Sequence, residues 1–494
     1  MILKIRTFPE TASSATHAVI VPKYEYNLFE QFKKKRKIKV TIDEQVFNHQ
    51  IYNPEDIINF YANMAFINDC LDTYIQRLQK IYDKDITIKI EEIDPWLLIN
   101  HQAIVSLKGN PEVKGAFFAD LAHWIIKNGL CIFYDMDYWF YDMMKQGKIN
   151  LKHYVLNQIL IDSDWNISLN GNVYVLWDYK WKFGQVRVCF DEKEEPEIPE
   201  NIEVKITNKC KNNCPFCYTN STPDGEHADI EPIIEYFYPS FGIRGLPYAV
   251  FGGGNPIEHP EIFELINEFV DKFDDKRVGM TLKDTDLVET NIKLDGIIAR
   301  LFSIGISYSD KEALGKALEN VFTINPKIYV GIHVINGIHN EENIKEIEEV
   351  IENVKVKNDI TSYCAIIVLG FKQKGRAKDW KFKNTISLDR LFKSSIYNIG
   401  FDTLGYEQLK VKDYIFERND SEWDAWREWI DLAYLGQDGE YSMYLDAVEW
   451  KIHPSSNHDE SFVAENIVED YKMIRKFIGK REIAEKIERI KNDE

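Results

Sequence analysis

Ile202-Glu-Val-Lys-Ile206-Thr207, followed after Asn208 and Lys209 by Cys210-Lys-Asn-Asn-Cys214-Pro-Phe-Cys217-Tyr218, is the stretch on which the fold reading turns. Its first part alternates apolar and polar residues, the period of a strand. Its second part holds three of the seven cysteines in the sequence within eight positions. A strand that ends in a cysteine-bearing loop sets a soft metal centre at the mouth of a parallel sheet. Iron–sulfur clusters and structural zinc ordinarily take four protein ligands. Three thiols at spacings of four and three, with no fourth close by, point to a [4Fe–4S] cluster with one iron left open to an exogenous ligand. Zinc completed by a residue such as His227 is the competing reading, and buried cysteines without a metal a third.

Outward from this stretch, strand and helix patterns alternate. Strand patterns fall at 202–207, 247–251, 277–282, 301–307, 327–334 and 364–369. Helical patterns lie between them, at about 229–239, 260–273, 290–300, 310–320 and 340–355. Strands separated by helices pair in parallel through right-handed crossovers. The expected fold class is therefore α/β, with six units rather than the eight of a closed barrel. Phe251-Gly252-Gly253-Gly254-Asn255-Pro256-Ile-Glu-His259 closes the second strand, at the sheet edge where parallel α/β proteins bind ligands. Consecutive glycines let a ligand approach the backbone and leave peptide groups free to bond it.

Cys-x3-Cys-x2-Cys with Phe216 before the third cysteine, joined to this glycine run one strand later, resembles the signature of the radical S-adenosylmethionine (radical SAM) superfamily. The resemblance implies a partial (β/α)6 TIM-like barrel core. It implies that Cys210, Cys214 and Cys217 hold a [4Fe–4S] cluster, whose open iron is chelated by the amino and carboxylate groups of S-adenosylmethionine. One electron from the cluster then releases a 5′-deoxyadenosyl radical that abstracts a substrate hydrogen. By the same resemblance Phe216, Gly252, Gly253, Gly254 and Asn255 form the cofactor-binding set near the methionine moiety. Ser303 and Ser307 on the fourth strand, and Gly331, His333 and Asn336 at the fifth, are candidates for ribose and adenine contacts. A core histidine bonded to a carbonyl is the competing reading of His333. The family's usual motif is Gly-Gly-Glu-Pro. Asn255 stands where the glutamate would be, so the charge is lost while an amide oxygen remains to accept a hydrogen bond. An external one-electron reductant such as flavodoxin or ferredoxin is the implied partner. No cysteine follows Cys364, so one cluster per chain is expected, without an auxiliary-cluster extension. The favoured substrate is a peptide or protein, because large regions flank the core. A nucleotide-derived small molecule or an RNA base is the alternative. A non-catalytic iron–sulfur or zinc module is a further alternative, and Asn255 is its best support. No further catalytic residue stands out.

Three regions are expected: an α+β region over 1–195, the core over 196–376, and a mixed, helix-rich region over 377–494. Asn53-Pro-Glu-Asp opens a periodic helical segment to about Tyr82, with Pro54 in its first turn. A second helical segment runs from about Pro111 to Lys127, and the aromatics of Tyr134–Tyr141 follow it. Val173–Trp177 and Val186–Phe190 read as a hairpin around Trp181 and Phe183-Gly184, and the charged, proline-containing 191–200 as a linker. After about 376 the alternation stops. Trp423, Trp426 and Trp429 share one side of a helix, residues 436–446 read as a turn and strand, and 460–491 as a charged helical tail. Asp224, His227 and Asp229 read as turn and N-cap residues or as substrate and proton-handling groups. Lys372, Lys374 and Arg376 read as solvated charge or as cations that hold a carboxylate or phosphate.

Composition narrows the classes. A net charge of −20 argues against a large nucleic-acid footprint. The short run Lys33–Lys37 reads as a solvated flank or a local anion patch. No run of eighteen apolar residues is present, so no membrane partner is expected, and the N-terminus lacks a secretory core. Cys70, Cys131, Cys189 and Cys364 are scattered, as reduced thiols in a cytoplasmic protein are.

Overall fold

The structure is a computed structural model, and it describes residues 2–5, 19–22, 37–42, 54–90, 106–127, 130–133, 164–178, 185–240, 247–272, 277–289, 291–358, 364–381, 385–393, 398–418, 423, 427 and 438–493. Lys33–Arg36, Tyr134–Tyr141, Trp181, Phe183, Gly184, Trp426 and Trp429 lie outside these. The chain divides into two compact units. One comprises residues 1–196, 242–244 and 424–434, the other 197–241, 245–423 and 435–494.

The first unit contains β1 (Ile2–Ile5), β2 (Val19–Pro22), β3 (Lys37–Ile42), α1 (Pro54–Ile67), α2 (Leu71–Tyr82), β4 (Asp85–Ile90), β5 (Ser106–Lys108), α3 (Pro111–Lys127), β6 (Leu130–Phe133), β7 (Asp164–Asn170), β8 (Val173–Asp178) and β9 (Gln185–Cys189). Five strands form a sheet in the order β1-β9-β8-β7-β5. The hairpin expected from the sequence is the antiparallel β8–β9 pair. Its neighbour β7 was not anticipated, although Trp165, Ile167 and Leu169 alternate with polar residues. The helical segment from Pro54 to Tyr82 is two helices rather than one. They break at Asn68-Asp69-Cys70, where Asp69 takes φ 53°. The buried Asn68 amide holds the break: it donates to the Met64 carbonyl at 2.9 Å and accepts the Leu107 N–H at 2.7 Å. Between the helices and the sheet, Asp120 accepts Arg77 through two bonds of 2.8 and 3.0 Å and the Tyr174 hydroxyl at 2.7 Å. The 191–200 segment is not a freely solvated tether, since Glu194 is buried beside Arg187 at 3.4 Å.

The second unit contains β10 (Asn201–Thr207), α4 (Ile230–Phe237), β11 (Tyr248–Gly253), α5 (Ile262–Asn267), β12 (Val278–Lys283), α6 (Ile292–Arg300), β13 (Ser303–Ser307), α7 (Lys311–Ile324), β14 (Tyr329–Ile335), α8 (Glu341–Asn358), β15 (Cys364–Leu369), α9 (Leu388–Lys393), β16 (Asn398–Phe401), α10 (Thr403–Gln408), α11 (Val411–Phe416), β17 (Ser442–Asp446), β18 (Lys451–His453), β19 (Phe462–Val463) and α12 (Ile467–Asp493). All six strands expected from the sequence are present. They run in sequence order across a ten-stranded sheet, β16-β15-β14-β13-β12-β11-β10-β17-β18-β19, parallel from β16 to β17.

Two features depart from the sequence reading. The alternation does not stop at 376, because α9 and β16 add one more parallel strand beside β15. The expected strand near residue 442 is β17, and it pairs in parallel with β10 on the side away from β11. The cysteine-bearing strand is therefore interior to the sheet.

Alternation along each strand gives the sheet two different faces. Ile202, Val204, Ile206, Phe251, Met280, Leu282, Ile304, Ile306, Val330, Ile332 and Val334 are at most 3% exposed. Each such side chain contributes about 1.5–3 kcal/mol on burial. The opposite face carries Lys205, Thr207, Thr281, Lys283, Ser303, Ser307 and His333, with Gly279, Gly305 and Gly331 among them. Asn291 caps α6 by accepting the Lys293 and Leu294 N–H groups, and Asp310 caps α7 through Ala313 N–H. Among the described residues no helix is long and apolar enough to cross a membrane.

Candidate functional site

The polar sheet face ends, at the C-terminal strand edge, in the loop 208–228, which begins as β10 leaves the sheet. Its backbone folds on itself through Cys210 N–H to Thr222 O (2.8 Å), Thr222 N–H to Asn208 O (3.0 Å) and Cys217 N–H to Cys214 O (3.2 Å). Cys210, Cys214 and Cys217 are free thiols, each partly exposed. Burial pushes the thiol pKa of Cys210 and Cys214 up, while the charges of Lys283 and Arg376 draw Cys214 back down. Thr219 Oγ1 lies 3.2 Å from Cys217 Sγ and 2.8 Å from Ser221 Oγ. Cys364 sits on the apolar face, its thiol pushed up to about 12 by burial, and is a core residue.

Four neighbouring elements hold this loop. Arg376, in the turn after β15, donates from Nε to Cys214 O at 3.0 Å and from Nη1 to Ser221 O at 2.8 Å. Its backbone N–H reaches Cys217 O at 3.0 Å. Gly375 makes that approach possible: its φ is 53°, and a Cβ there would stand 2.7 Å from Cys217 O and 2.6 Å from Tyr218 O. Glu258, after β11, accepts Lys211 N–H at 3.1 Å. Asp286, after β12, accepts the Asn212 amide at 3.3 Å. Glu203, on β10 itself, accepts the Tyr218 hydroxyl at 3.1 Å.

Arg376 is thus bonded to the loop's own carbonyls rather than held for an anion. The other two cations of its segment also have partners. Lys372 Nζ lies over the Tyr218 ring at 4.4 Å and donates to Ser456 at 2.6 Å, and Lys374 pairs with Asp459 at 2.7 Å. Phe216 meets Trp380 edge-on, with ring centres 5.9 Å apart.

The glycine run adjoins the same loop, and its three glycines differ. Gly253 has φ 114°, and a Cβ on it would stand 2.6 Å from Thr207 O; one on Gly254 would stand 2.2 Å from Lys209 O. Both are needed for close packing of two backbones. A Cβ on Gly252 would meet nothing within 4 Å, so this glycine alone borders open space. The expectation that the peptide N–H groups of this segment are free is corrected: Gly254 N–H bonds Thr207 O at 2.7 Å and Asn255 N–H bonds Lys209 O at 2.8 Å. Asn255 is 2% exposed, and neither its Oδ1 nor its Nδ2 has a hydrogen-bond partner.

The remaining candidates scatter. Asp229 is the N-cap residue of α4 without a side-chain cap bond, and Asp224 is exposed. His227 Nδ1 contacts Thr207 Oγ1 at 2.8 Å, and its ring meets His259 edge-on at 5.0 Å. Burial and the neighbouring His259 push the His227 pKa down. His259 joins the ends of the two motifs: its Nε2–H donates to Ala228 O at 2.8 Å while Nδ1 accepts Glu261 N–H at 3.1 Å. Ser303 bonds the Tyr248 hydroxyl. Ser307 lies beside Lys283 in register. Asn336 is buried and accepts Ile386 N–H at 3.3 Å, a structural role. His333 is partly buried against Gly305 and Gly331, and burial, aided by Lys372, lowers its pKa to about 4. Asp286, Glu258 and Lys283 were missed in the sequence, where nothing but their positions one to five residues past a strand or glycine run sets them apart.

The donor set suits a cluster better than an ion. Among the described residues no three His, Cys, Asp or Glu side chains gather closely enough to hold one metal ion. A cubane asks for something else, since each thiolate ligates a different iron. Three free thiols on one loop, without a fourth, are the ligand count that such a cluster takes when one iron binds a small exogenous ligand.

Residues 204–374 match the family model described as the radical SAM superfamily. No curated protein matches the sequence. Among solved structures, a crystal structure of Streptococcus suis SuiB bound to precursor peptide SuiA is similar at 13% identity and a TM-score of 0.36. That similarity covers 52% of this chain and 60% of that one, so the chain spans under two thirds of SuiB. The likeness is too distant to carry anything about function.

Proposed function

Because the chain belongs, through residues 204–374, to the radical SAM superfamily, we propose that Cys210, Cys214 and Cys217 hold its [4Fe–4S] cluster and that it abstracts hydrogen from a peptide or protein. Enzymes of this superfamily use a [4Fe–4S] cluster and S-adenosylmethionine, which together supply a hydrogen-abstracting radical once an external reductant delivers one electron. The observation that carries the assignment is the geometry of the loop 208–228: three free thiols on one loop, held by residues after β11, β12 and β15 and by Glu203 on β10.

Each residue then has a task. The three thiols bind, and Arg376 fixes the loop that presents them. Lys283 and Arg376 offset part of the burial that disfavours the thiolate of Cys214, the form that ligates metal. Gly252 leaves room at the end of β11 for the methionine moiety, beside the unpartnered amide of Asn255. Ser307 and His333 face the same side of the sheet and line the path toward the nucleoside. His333 is neutral at pH 7 and acts as a hydrogen-bonding group rather than a charge. The reading takes the sheet as a partial (β/α)6 barrel with this site at its C-terminal rim, supported by the sequence-ordered parallel strands with helices between them. A macromolecular substrate is favoured by the amount of chain outside residues 204–374.

The test is anaerobic reconstitution with iron and sulfide, then dithionite and S-adenosylmethionine, with 5′-deoxyadenosine as the product measured. The native protein yields the nucleoside and Cys214→Ala yields none, having lost the visible cluster absorbance. A Cys214→Ala protein that still forms it would end the assignment.

A further inference from the structure

The family's motif puts a carboxylate where this chain has Asn255, so the α-amino group of S-adenosylmethionine, an iron ligand in this family, lacks its expected hydrogen-bond acceptor. The structure offers another source. Asp286 lies just past the C-terminal end of β12, the strand next to the one that ends in the glycine run. Its carboxylate accepts the Asn212 amide, between the first two cysteines, at 3.3 Å, and the Lys283 N–H, also at 3.3 Å. Burial pushes the Asp286 pKa up, and the Lys283 N–H, the Asn212 amide and the nearby Asn255 amide draw it back; neither polar atom of Asn255 meets full hydrogen-bond geometry with any partner. A buried primary amide left unbonded costs about 1–3 kcal/mol, a cost that a ligand removes. Asp286, Asn212 and Asn255 therefore converge on one spot beside the cysteine loop: a carboxylate with lone pairs to spare, and a buried amide oxygen left unbonded.

We propose that Asp286, assisted by the Asn255 amide oxygen, accepts the N–H groups of the α-amino group of S-adenosylmethionine, taking the place of the missing motif glutamate from the adjacent strand end. This rests on the cofactor reading above. The carboxylate supplies a charged, stronger acceptor for N–H groups polarised by the metal, and Asn255 supplies a neutral acceptor where a second carboxylate would repel Asp286.

The test is a binding titration, read by calorimetry on the anaerobically reconstituted full chain, with no turnover involved. The probes are S-adenosylmethionine and its analogue with hydrogen in place of the amino group. Asp286→Asn keeps the shape and the bond to Asn212. It is expected to weaken S-adenosylmethionine binding about 30-fold, or about 2 kcal/mol at 1.4 kcal/mol per decade, and to leave the analogue's affinity unchanged. Asp286→Glu keeps the charge and retains affinity within a few fold. Equal effects on both ligands, or none on either, overturn the inference while leaving the cofactor reading intact. Native protein that carries its cluster but binds no S-adenosylmethionine overturns the reading itself, and this proposal with it. Iron content and visible absorbance report loading of each variant. If Asp286→Asn fails to load, Asp286→Glu decides: it must load and bind like the native protein, and weak binding there refutes the role of the charge.

Discussion

Replacing Arg376 with methionine keeps the aliphatic stem and deletes the two guanidinium bonds, to Cys214 O at 3.0 Å and Ser221 O at 2.8 Å. Bonds from a charged donor contribute about 1.5–3 kcal/mol each. At the lower figure the pair holds the cysteine loop shut by about 3 kcal/mol, or roughly a hundredfold in the opening equilibrium. The backbone N–H of residue 376 still reaches Cys217 O, so the loop is loosened rather than lost. The assay is hydrogen exchange by mass spectrometry on metal-free protein, following the amides of Cys210, Cys217 and Thr222, whose bonds stay within the loop. Local opening sets their exchange, so Arg376→Met is expected to speed it about a hundredfold while the β14 amides are unchanged. Arg376→Lys, able to make one of the two bonds, falls between. In reconstituted protein the same variant loses iron to a chelator faster. A change below about threefold at all three amides would show that Arg376 is not what fixes the loop, and the placement of the thiols would need another cause.

Two further predictions use the same sheet edge. Gly253→Ala forces a Cβ at φ 114° to within 2.6 Å of Thr207 O and is expected to cost about 1–3 kcal/mol of stability; Gly252→Ala faces open space, so it leaves the melting temperature unchanged and weakens S-adenosylmethionine binding. Equal melting shifts for both would refute the distinction. His333 supplies a pH test: its pKa is lowered to about 4 from an ordinary 6.5, so below pH 6.5 the unfolded chain takes a proton that the folded chain refuses. Stability therefore falls as pH drops from 6.5 toward 4, by up to about 3 kcal/mol. Urea midpoints at pH 7 and pH 5 are expected to lie further apart for the native chain than for His333→Gln, by the equivalent of about 2 kcal/mol; equal spacing refutes it.

The parallel core was legible because each of its six strands shows a strand pattern of five or more residues, alternating or largely apolar, between helical patterns. β16 was not: Asn-Ile-Gly-Phe is too short to show a period, and Ile399 is its one buried hydrophobic residue. β17 was readable as a strand, but its partner lies more than two hundred residues earlier, and no local pattern encodes a pairing at that range. The cysteines and glycines were legible as a site because their spacing is rare. What holds them was not. Arg376 bonds backbone carbonyls, which every residue type carries, so nothing in the sequence separates a cation that grips its own chain from one awaiting an anion. Asp286 looks like an ordinary turn acid in Asp-Thr-Asp-Leu until the fold brings Asn212 and Asn255 to it.

The position of β17 bears on how the protein is made. Lys205 on β10 and Asp446 on β17 form a buried ion pair at 2.7 Å across 241 residues of sequence. At a synthesis rate of about 5–20 residues per second, the aspartate emerges some 12–50 s after the lysine. Through that interval the nascent chain displays the cysteine loop on a strand with one flank open and a lysine without its counter-ion. Iron–sulfur delivery before release would meet an unfinished scaffold, and the bare flank would invite pairing with other chains. The timing favours a protein that completes its sheet first and acquires its cluster afterwards.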